Sequence, residues 1–393
     1  MNLQKSLLPQ HHFVFSGKSG EYFKIWLSNL LLTLVTLGIY SAWATVRRRR
    51  YFYQNTEIAG ENFAYHARPL QILIGRLILV AALIVFFIAD VFFPSFANFL
   101  LLLFFLLLPL LAIRSWRFQA RMSSYRGVHF DYRCPTGKAY GHLLVLPMLM
   151  FIGLCVLIAF YLYFVLASDA LNLLPWGVPG LFLFFFIAMS FIQAIGSQLS
   201  WSLYVNHHFY GSYAFSAALS KKTFLRIMLV SLLILVPFIA FSLGLATFLM
   251  IEASGGVQVT TDNMHKVMSQ ASSSVLWAYT PVLAGFWFSS NYLFIAVRNY
   301  LFRQTTVGEK LRLYSTLSYF AWIKIQLGNL LLIVFTLGLA IPLAQIRCAR
   351  YLAERCWLEG ELPETDKADG ATEKVMGAIA EEFVPVEGID VGL

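Results

Sequence analysis

Two stretches decide how this chain is read: KIWLSNLLLTLVTLGIYSAWATVRRRRY (residues 24–51) and KIQLGNLLLIVFTLGLAIPLAQIRCARY (residues 324–351). They align without a gap at an offset of 300 and agree at fourteen of twenty-eight positions. Shared leucines mean little in apolar segments. Lys24/Lys324, Asn29/Asn329, Thr36/Thr336, Gly38/Gly338, Arg47/Arg347, Arg50/Arg350 and Tyr51/Tyr351 form an ordered polar set that chance composition does not easily supply. Each copy carries an apolar run, about 25–46 and 323–346, long enough to cross a bilayer but interrupted by a Thr-Leu-Gly step.

Between the copies lie six uninterrupted apolar stretches of spanning length: about 70–90, 95–113, 142–167, 178–200, 224–251 and 275–297. With 59% hydrophobic and only 12% charged residues among 393, the chain is no soluble globular enzyme. Orientation follows from the basic residues. Segments 47–69, 114–141, 201–223 and 298–322 hold seventeen Lys and Arg, whereas the opposite connections, including the long 252–274 loop, hold only Lys266. Cationic loops stay in the cytoplasm, which places the first set there.

The repeat then poses a conflict. If both copies spanned, identical basic flanks would obey the charge rule in opposite senses. If each copy instead dips into the cytoplasmic leaflet and returns, with Thr-Leu-Gly as the bend, both termini are cytoplasmic and the copies share one sense. Two ordinary spanning helices from an old duplication, with the rule locally violated, are the competing reading. The expected fold class is an all-α polytopic membrane protein of eight membrane segments. Residues 1–360 form its single integral domain, and 361–393, with nine Asp and Glu against two Lys, form an acidic disordered cytoplasmic tail. Without that tail the net charge rises from +9 to +16, so the charge reports orientation and lipid contact rather than nucleic acid.

A weaker signal recurs in the cytoplasmic loops. Phe13-Val14-Phe15, Phe63-Ala64-Tyr65, Phe130-Asp131-Tyr132, Tyr213-Ala214-Phe215 and Leu311-Arg312-Leu313 alternate, and Gly60, Gly127, Gly211 and Gly308 precede four of them. Period-two aromatics after a Gly turn read either as short strands that pair into a small sheet or as loops whose rings sit in the headgroup belt.

Residues 13–69 resemble the YjgN-like family of bacterial inner-membrane proteins. Phe15, Gly17, Glu21, Tyr22, Trp26, Asn29, Thr36, Gly38, Tyr40, Trp43, Arg47, Tyr51, Asn55, Thr56, Gly60 and Phe63 carry the likeness. It implies a multi-pass protein of the bacterial inner membrane and brings no reaction or substrate.

Chemistry-bearing motifs are absent from the sequence. His11-His12 and His207-His208 are adjacent pairs rather than i, i+4 metal ligands, and the four cysteines have no C-x-x-C spacing. No acid–base pair, phosphate loop or nucleophile motif is present, so no enzyme, cofactor or metal is expected. Arg76, Asp90 and Arg226 lie near span ends, where they can snorkel. Gln193, Ser197, Gln198, Ser289, Ser290 and Asn291 either join helices or line a polar path. Two functions remain. A transporter or channel for a small or amphipathic solute would use Asn29, Thr36, Gly38, Asn329, Thr336 and Gly338 as binding candidates. A lipid-organising scaffold would use Arg47, Arg48, Arg49 and Arg50 on anionic headgroups.

Overall fold

The computed structural model describes residues 8–167, 174–255, 277–308 and 311–362. The 252–274 loop beyond residue 255 and the acidic segment beyond residue 362 lie outside them. The described residues form five units of one plan, each a strand, an outgoing helix, a returning helix and a second, short strand. The first is β1 (Gln10–Phe15), α1 (Ser19–Val35), α2 (Ser41–Gln54) and β2 (Thr56–Ile58). The second is β3 (Glu61–Tyr65), α3 (Pro69–Phe92), α4 (Pro94–Met122) and β4 (Ser123–Tyr125). The third runs β5 (Val128–Tyr132), α5 (Thr136–Tyr140), a π-helical turn (Gly141–Val145), α6 (Leu146–Ala167), α7 (Leu174–Val205) and β6 (His208–Tyr210). The fourth is β7 (Tyr213–Ala217), α8 (Lys221–Ala253), α9 (Thr280–Gln304) and β8 (Thr305–Val307). The fifth is β9 (Leu311–Ser315), α10 (Tyr319–Phe335), α11 (Ile341–Glu354) and β10 (Cys356–Glu359).

The ten strands close into an antiparallel barrel in simple chain order, with β1 beside β10. This overturns the all-α expectation. The alternating triplets lie in β1, β3, β5, β7 and β9, and each is paired by a strand that ends a returning helix. Those partners have only three or four residues. That is too short to show a period of two beside an apolar helix. Closure also satisfies every strand edge, so the ring is not a sheet lying loose on the bilayer.

The register fixes the architecture. Phe15 pairs with Thr56, Tyr65 with Ser123, Tyr132 with His208, Ala217 with Thr305, and Ser315 with Cys356. Each pair flanks a helical hairpin, so all five hairpins spring from one barrel end. Tight turns close the other end. Ala59-Gly60 and Arg126-Gly127 have positive φ at both central residues, the type I′ turn that matches strand twist. Aromatic and aliphatic side chains fill the barrel, with Phe63 5.0 Å from Tyr125 and Phe130 5.2 Å from Tyr210 between ring centroids. Each fully buried Phe contributes about 1.5–3 kcal/mol. The Tyr125 hydroxyl donates to the Ile58 carbonyl (2.8 Å) and that of Tyr210 to the Tyr125 carbonyl (3.1 Å), so these buried tyrosines leave no unmet donor.

Among the described residues six helices are long and apolar enough to cross a membrane: α3, α4, the stretch from α5 through α6, α7, α8 and α9. The hairpins of the two repeat copies are shorter. At 1.5 Å per residue, α1 and α10 with 17 residues each reach about 25 Å, whereas α8 with 33 reaches about 50 Å. Because β1 pairs with β2 and β9 with β10, each copy returns to the barrel end it left. The two short hairpins stand side by side, joined where the Tyr22 hydroxyl donates to Gln345 Oε1 at 2.6 Å.

Candidate functional site

The polar residues shared by the two copies hold each hairpin together at three levels. At the base, the Tyr51 hydroxyl donates to the Lys18 carbonyl (2.9 Å) and accepts from the Lys18 N–H (2.8 Å). Tyr351 makes the same pair with Ser318 at 3.2 and 3.0 Å. Midway, Asn29 Nδ2 reaches the Ala44 carbonyl at 3.5 Å and Asn329 Nδ2 that of Ala344 at 3.4 Å. At the tip, the Thr36 hydroxyl donates to the Leu32 carbonyl (2.7 Å) and accepts from the Tyr40 N–H (3.0 Å). Thr336 does the same with Leu332 and Ala340. Gly38 N–H donates to Thr33 and Leu37 N–H to Leu34, a Schellman cap reproduced at Gly338 and Leu337.

The basic run of α2 is likewise tied to protein. Arg47 donates to Asn29 Oδ1 (3.3 Å) and the Tyr40 hydroxyl (3.0 Å), Arg49 to the Tyr65 hydroxyl (2.9 Å) and Arg50 to the Ala67 carbonyl (3.2 Å). Arg48 is exposed on the same helix. Arg76, on α3, donates to Ser41 and Thr45 of α2, joining the first two hairpins.

A cavity of about 360 Å³ opens where the returning helices α4, α7 and α9 meet the barrel mouth. None of Asn29, Thr36, Gly38, Asn329, Thr336 and Gly338 lines it. Its wall is mainly apolar, with Trp201, Met228, Phe294, Val297 and Leu301 prominent, and the polar groups are few: Gln193, Ser197, His208 and Arg298 among them. Phe130, Phe215 and Leu313 form its floor and also roof a void of about 60 Å³ inside the barrel. A greasy enclosure with a handful of polar groups is the usual build of a small-molecule site.

Arg298 is the unusual member. It is only 6% exposed, and its guanidinium lies 4.6 Å from the centre of the Phe302 ring and 3.5 Å from Cys356 Sγ. Among the described residues its Nε has no hydrogen-bond partner and no acidic residue lines the cavity. A buried cation without a counter-charge is destabilising by several kcal/mol. His208 supplies no further positive charge. Burial drives its imidazole down to about 4, outweighing the Tyr204 carbonyl that accepts its Nδ1–H at 2.6 Å. Ionic pairing is instead met outside the cavity. Although burial raises the Asp131 carboxyl, hydrogen bonds from Arg121 (2.8 Å) and Arg133 (2.7 Å) prevail and hold it below its ordinary range.

Of the polar positions visible in the sequence, Gln193 and Ser197 face this cavity, whereas Gln198 donates to the Leu219 carbonyl at 3.1 Å. Ser289 hydrogen-bonds Ser231 across α8 and α9, Ser290 bonds the Trp287 carbonyl, and Asn291 accepts from Trp322 Nε1 at 2.7 Å. Sequence reasoning missed Arg298, which it counted in the cytoplasmic loop 298–322, and weighed His208 only as a metal ligand. The signal for Arg298 was its place in FIAVRNYLF, with apolar residues on both sides.

Helical hairpins of spanning length set around a small barrel define a multi-pass membrane protein. Residues 10–386 match the family described as "Bacterial protein of unknown function (DUF898)", and the chain belongs to that family. It is 28% identical over 367 residues to the "Inner membrane protein YjgN" of Salmonella typhimurium, covering 90% of this chain and 89% of the relative. It is 25% identical over 389 residues to the protein of the same name from Escherichia coli O157:H7, covering 96% of each. The chain is thus a YjgN-like inner-membrane protein in contact with the lipid bilayer. No solved structure matches it.

Proposed function

We propose that the protein is a carrier or channel for an amphipathic solute, which occupies the cavity at the barrel mouth. The carrying observation is the cavity itself, an apolar enclosure with few polar groups, ringed by returning helices. On this reading the barrel lies at the cytoplasmic face, as the bias of basic residues supports, and its aromatic floor closes the path on that side. The activity is non-catalytic, in keeping with a sequence in which no acid–base pair can be assembled.

The test is transbilayer movement of an NBD-labelled single-chain amphiphile in proteoliposomes, followed by dithionite bleaching. The wild-type protein accelerates crossing relative to empty vesicles, and Ser197→Trp, which fills the cavity, removes the acceleration. Equal rates in empty and protein-bearing vesicles would sink the proposal.

One observation favours a second reading, a lipid-organising scaffold. The hairpin tips present Leu37 and Leu337, each 94% exposed, above basic helix segments. Charge reversal at Arg48 that leaves binding to anionic vesicles unchanged counts against it.

A further inference from the structure

Arg298 states what kind of amphiphile the cavity is built for. The side chain is more than nine-tenths buried, lines the cavity and leaves Nε without a partner. Its guanidinium carries five N–H donors and a permanent charge. Among the described residues those donors find one acceptor, the Cys356 sulfur, at 3.5 Å. The Phe302 face is attracted to the cation but does not neutralise it. Among the described residues no Asp or Glu lines the enclosure. Arg121 and Arg133 both pair with Asp131 in the barrel, so carboxylate pairing of arginine is available to this fold.

Hydrocarbon-lined walls adjoin the guanidinium. Val297, Leu301 and Phe294 continue along α9 from Arg298, and Trp201 stands on α7. A small inorganic anion would meet the cation and leave those walls wet. A neutral lipid would cover the walls and leave the charge unmet. We propose that the cavity selects single-chain amphipathic anions, with a carboxylate or phosphate-monoester head on Arg298 and the hydrocarbon chain against α7 and α9. Planar two-oxygen heads suit the guanidinium fork. This rests on the reading of the cavity as an amphiphile site and adds the sign of the head and the residue that holds it.

The experiment uses full-length protein in phosphatidylcholine nanodiscs and follows tryptophan quenching by brominated stearate at mildly alkaline pH. Its neutral counterpart is brominated stearyl alcohol. The expected result is saturable quenching by stearate, of which the cavity component disappears in Trp201→Phe. Arg298→Gln weakens stearate at least about tenfold and leaves the alcohol unchanged, while Arg298→Lys falls between them. Dodecyl phosphate competes with stearate and inorganic phosphate does not. Should Arg298→Gln fail to fold, the wild-type preference for stearate over the alcohol carries the test.

Equal binding of stearate and alcohol at the Trp201 site overturns the anion proposal and leaves the amphiphile cavity standing. Undiminished stearate binding in Arg298→Gln does the same. Displacement by inorganic phosphate also overturns it, making the site one for free anions. Absence of any Trp201-dependent quenching removes both proposals together.

Discussion

Leu37 and Leu337 hold the left-handed position of their Schellman caps, at φ 51° and 50°, where glycine is usual. For a leucine this costs about 1–2 kcal/mol at each tip. The neighbouring Gly38 and Gly338, at φ 92°, take the remainder of the bend without that cost. Strain kept twice at the most exposed apolar residues of the hairpins points to a benefit outside the protein's own core, in lipid. Leu37→Gly is therefore expected to raise the unfolding free energy in detergent by about 1 kcal/mol, read as a higher midpoint, and to weaken retention of the first hairpin in bilayers. An unchanged or lower midpoint contradicts this account.

The neutral His208 gives a pH dependence of definite sign. Its folded value, about 4, lies below the ordinary histidine value of about 6.5, so the unfolded chain binds more protons between these limits. Stability falls as pH drops from about 6.5 towards 4, and the loss from this group is complete below that. Asp131, held low by its two arginines, adds a further loss as pH passes below the ordinary carboxylate range. Thermal unfolding across this window shows the first slope, and His208→Gln reduces it, leaving the part that comes from His66, whose imidazole burial also pulls down.

At the level of elements, the hairpin of α8 and α9 is set by one close approach. A Cβ on Gly285 would stand 2.7 Å from Phe238 Cβ, and one turn away Ser231 and Ser289 share a hydrogen bond. Small residues and hydroxyls at helix contacts replace the hydrophobic drive that lipid cannot supply. Gly285→Leu should destabilise by about 1–3 kcal/mol and shift Arg298, which is on the same helix, relative to the cavity. Gly20→Leu, where nothing lies within 4 Å, is the control expected to be silent. A Gly285→Leu protein as stable as wild type would show that these helices are not held by contact.

The same elements show what was legible beforehand. The six long helices and the odd-numbered strands declare themselves by apolar length and by alternation after Gly60, Gly127, Gly211 and Gly308. The even-numbered strands do not. Thr56–Ile58 or Ser123–Tyr125 carries three residues on the end of a helix, and its strand character comes from partners distant in sequence. The repeat was visible, but not its multiplicity. Two copies agree at fourteen of twenty-eight positions, whereas the other three units share the order of strand, helix, helix and strand and the alternating triplet without such a match. The cavity was hidden for the same reason, since its wall joins α4, α7 and α9, which lie far apart in the chain.

Across the whole molecule, the hairpins form an uneven crown. Three units carry helices of spanning length and two adjacent units carry half-length hairpins. Beside those two, α3 and α9, with 24 and 25 residues, are longer than the neighbouring α1 and α10, with 17 each. All tight turns of the barrel face one side, so single cysteines at Gly60, Gly127, Gly211 and Gly308 should be labelled by an impermeant reagent from one side only. The basic bias predicts the cytoplasmic side. Labelling of the four from different sides would break the five-unit arrangement, and uniform periplasmic labelling would invert it.

The seam between β1 and β10 has a consequence for biosynthesis. Gly360 N–H donates to the Pro9 carbonyl at 2.9 Å, so the first and last strands are neighbours. Because synthesis runs from β1 to β10, one edge of β1 has no barrel partner until residues 356–359 have been made, so the ring cannot close before the fifth hairpin is complete. A chain cut at Gly127 and rejoined across the seam would build the same ring in another order.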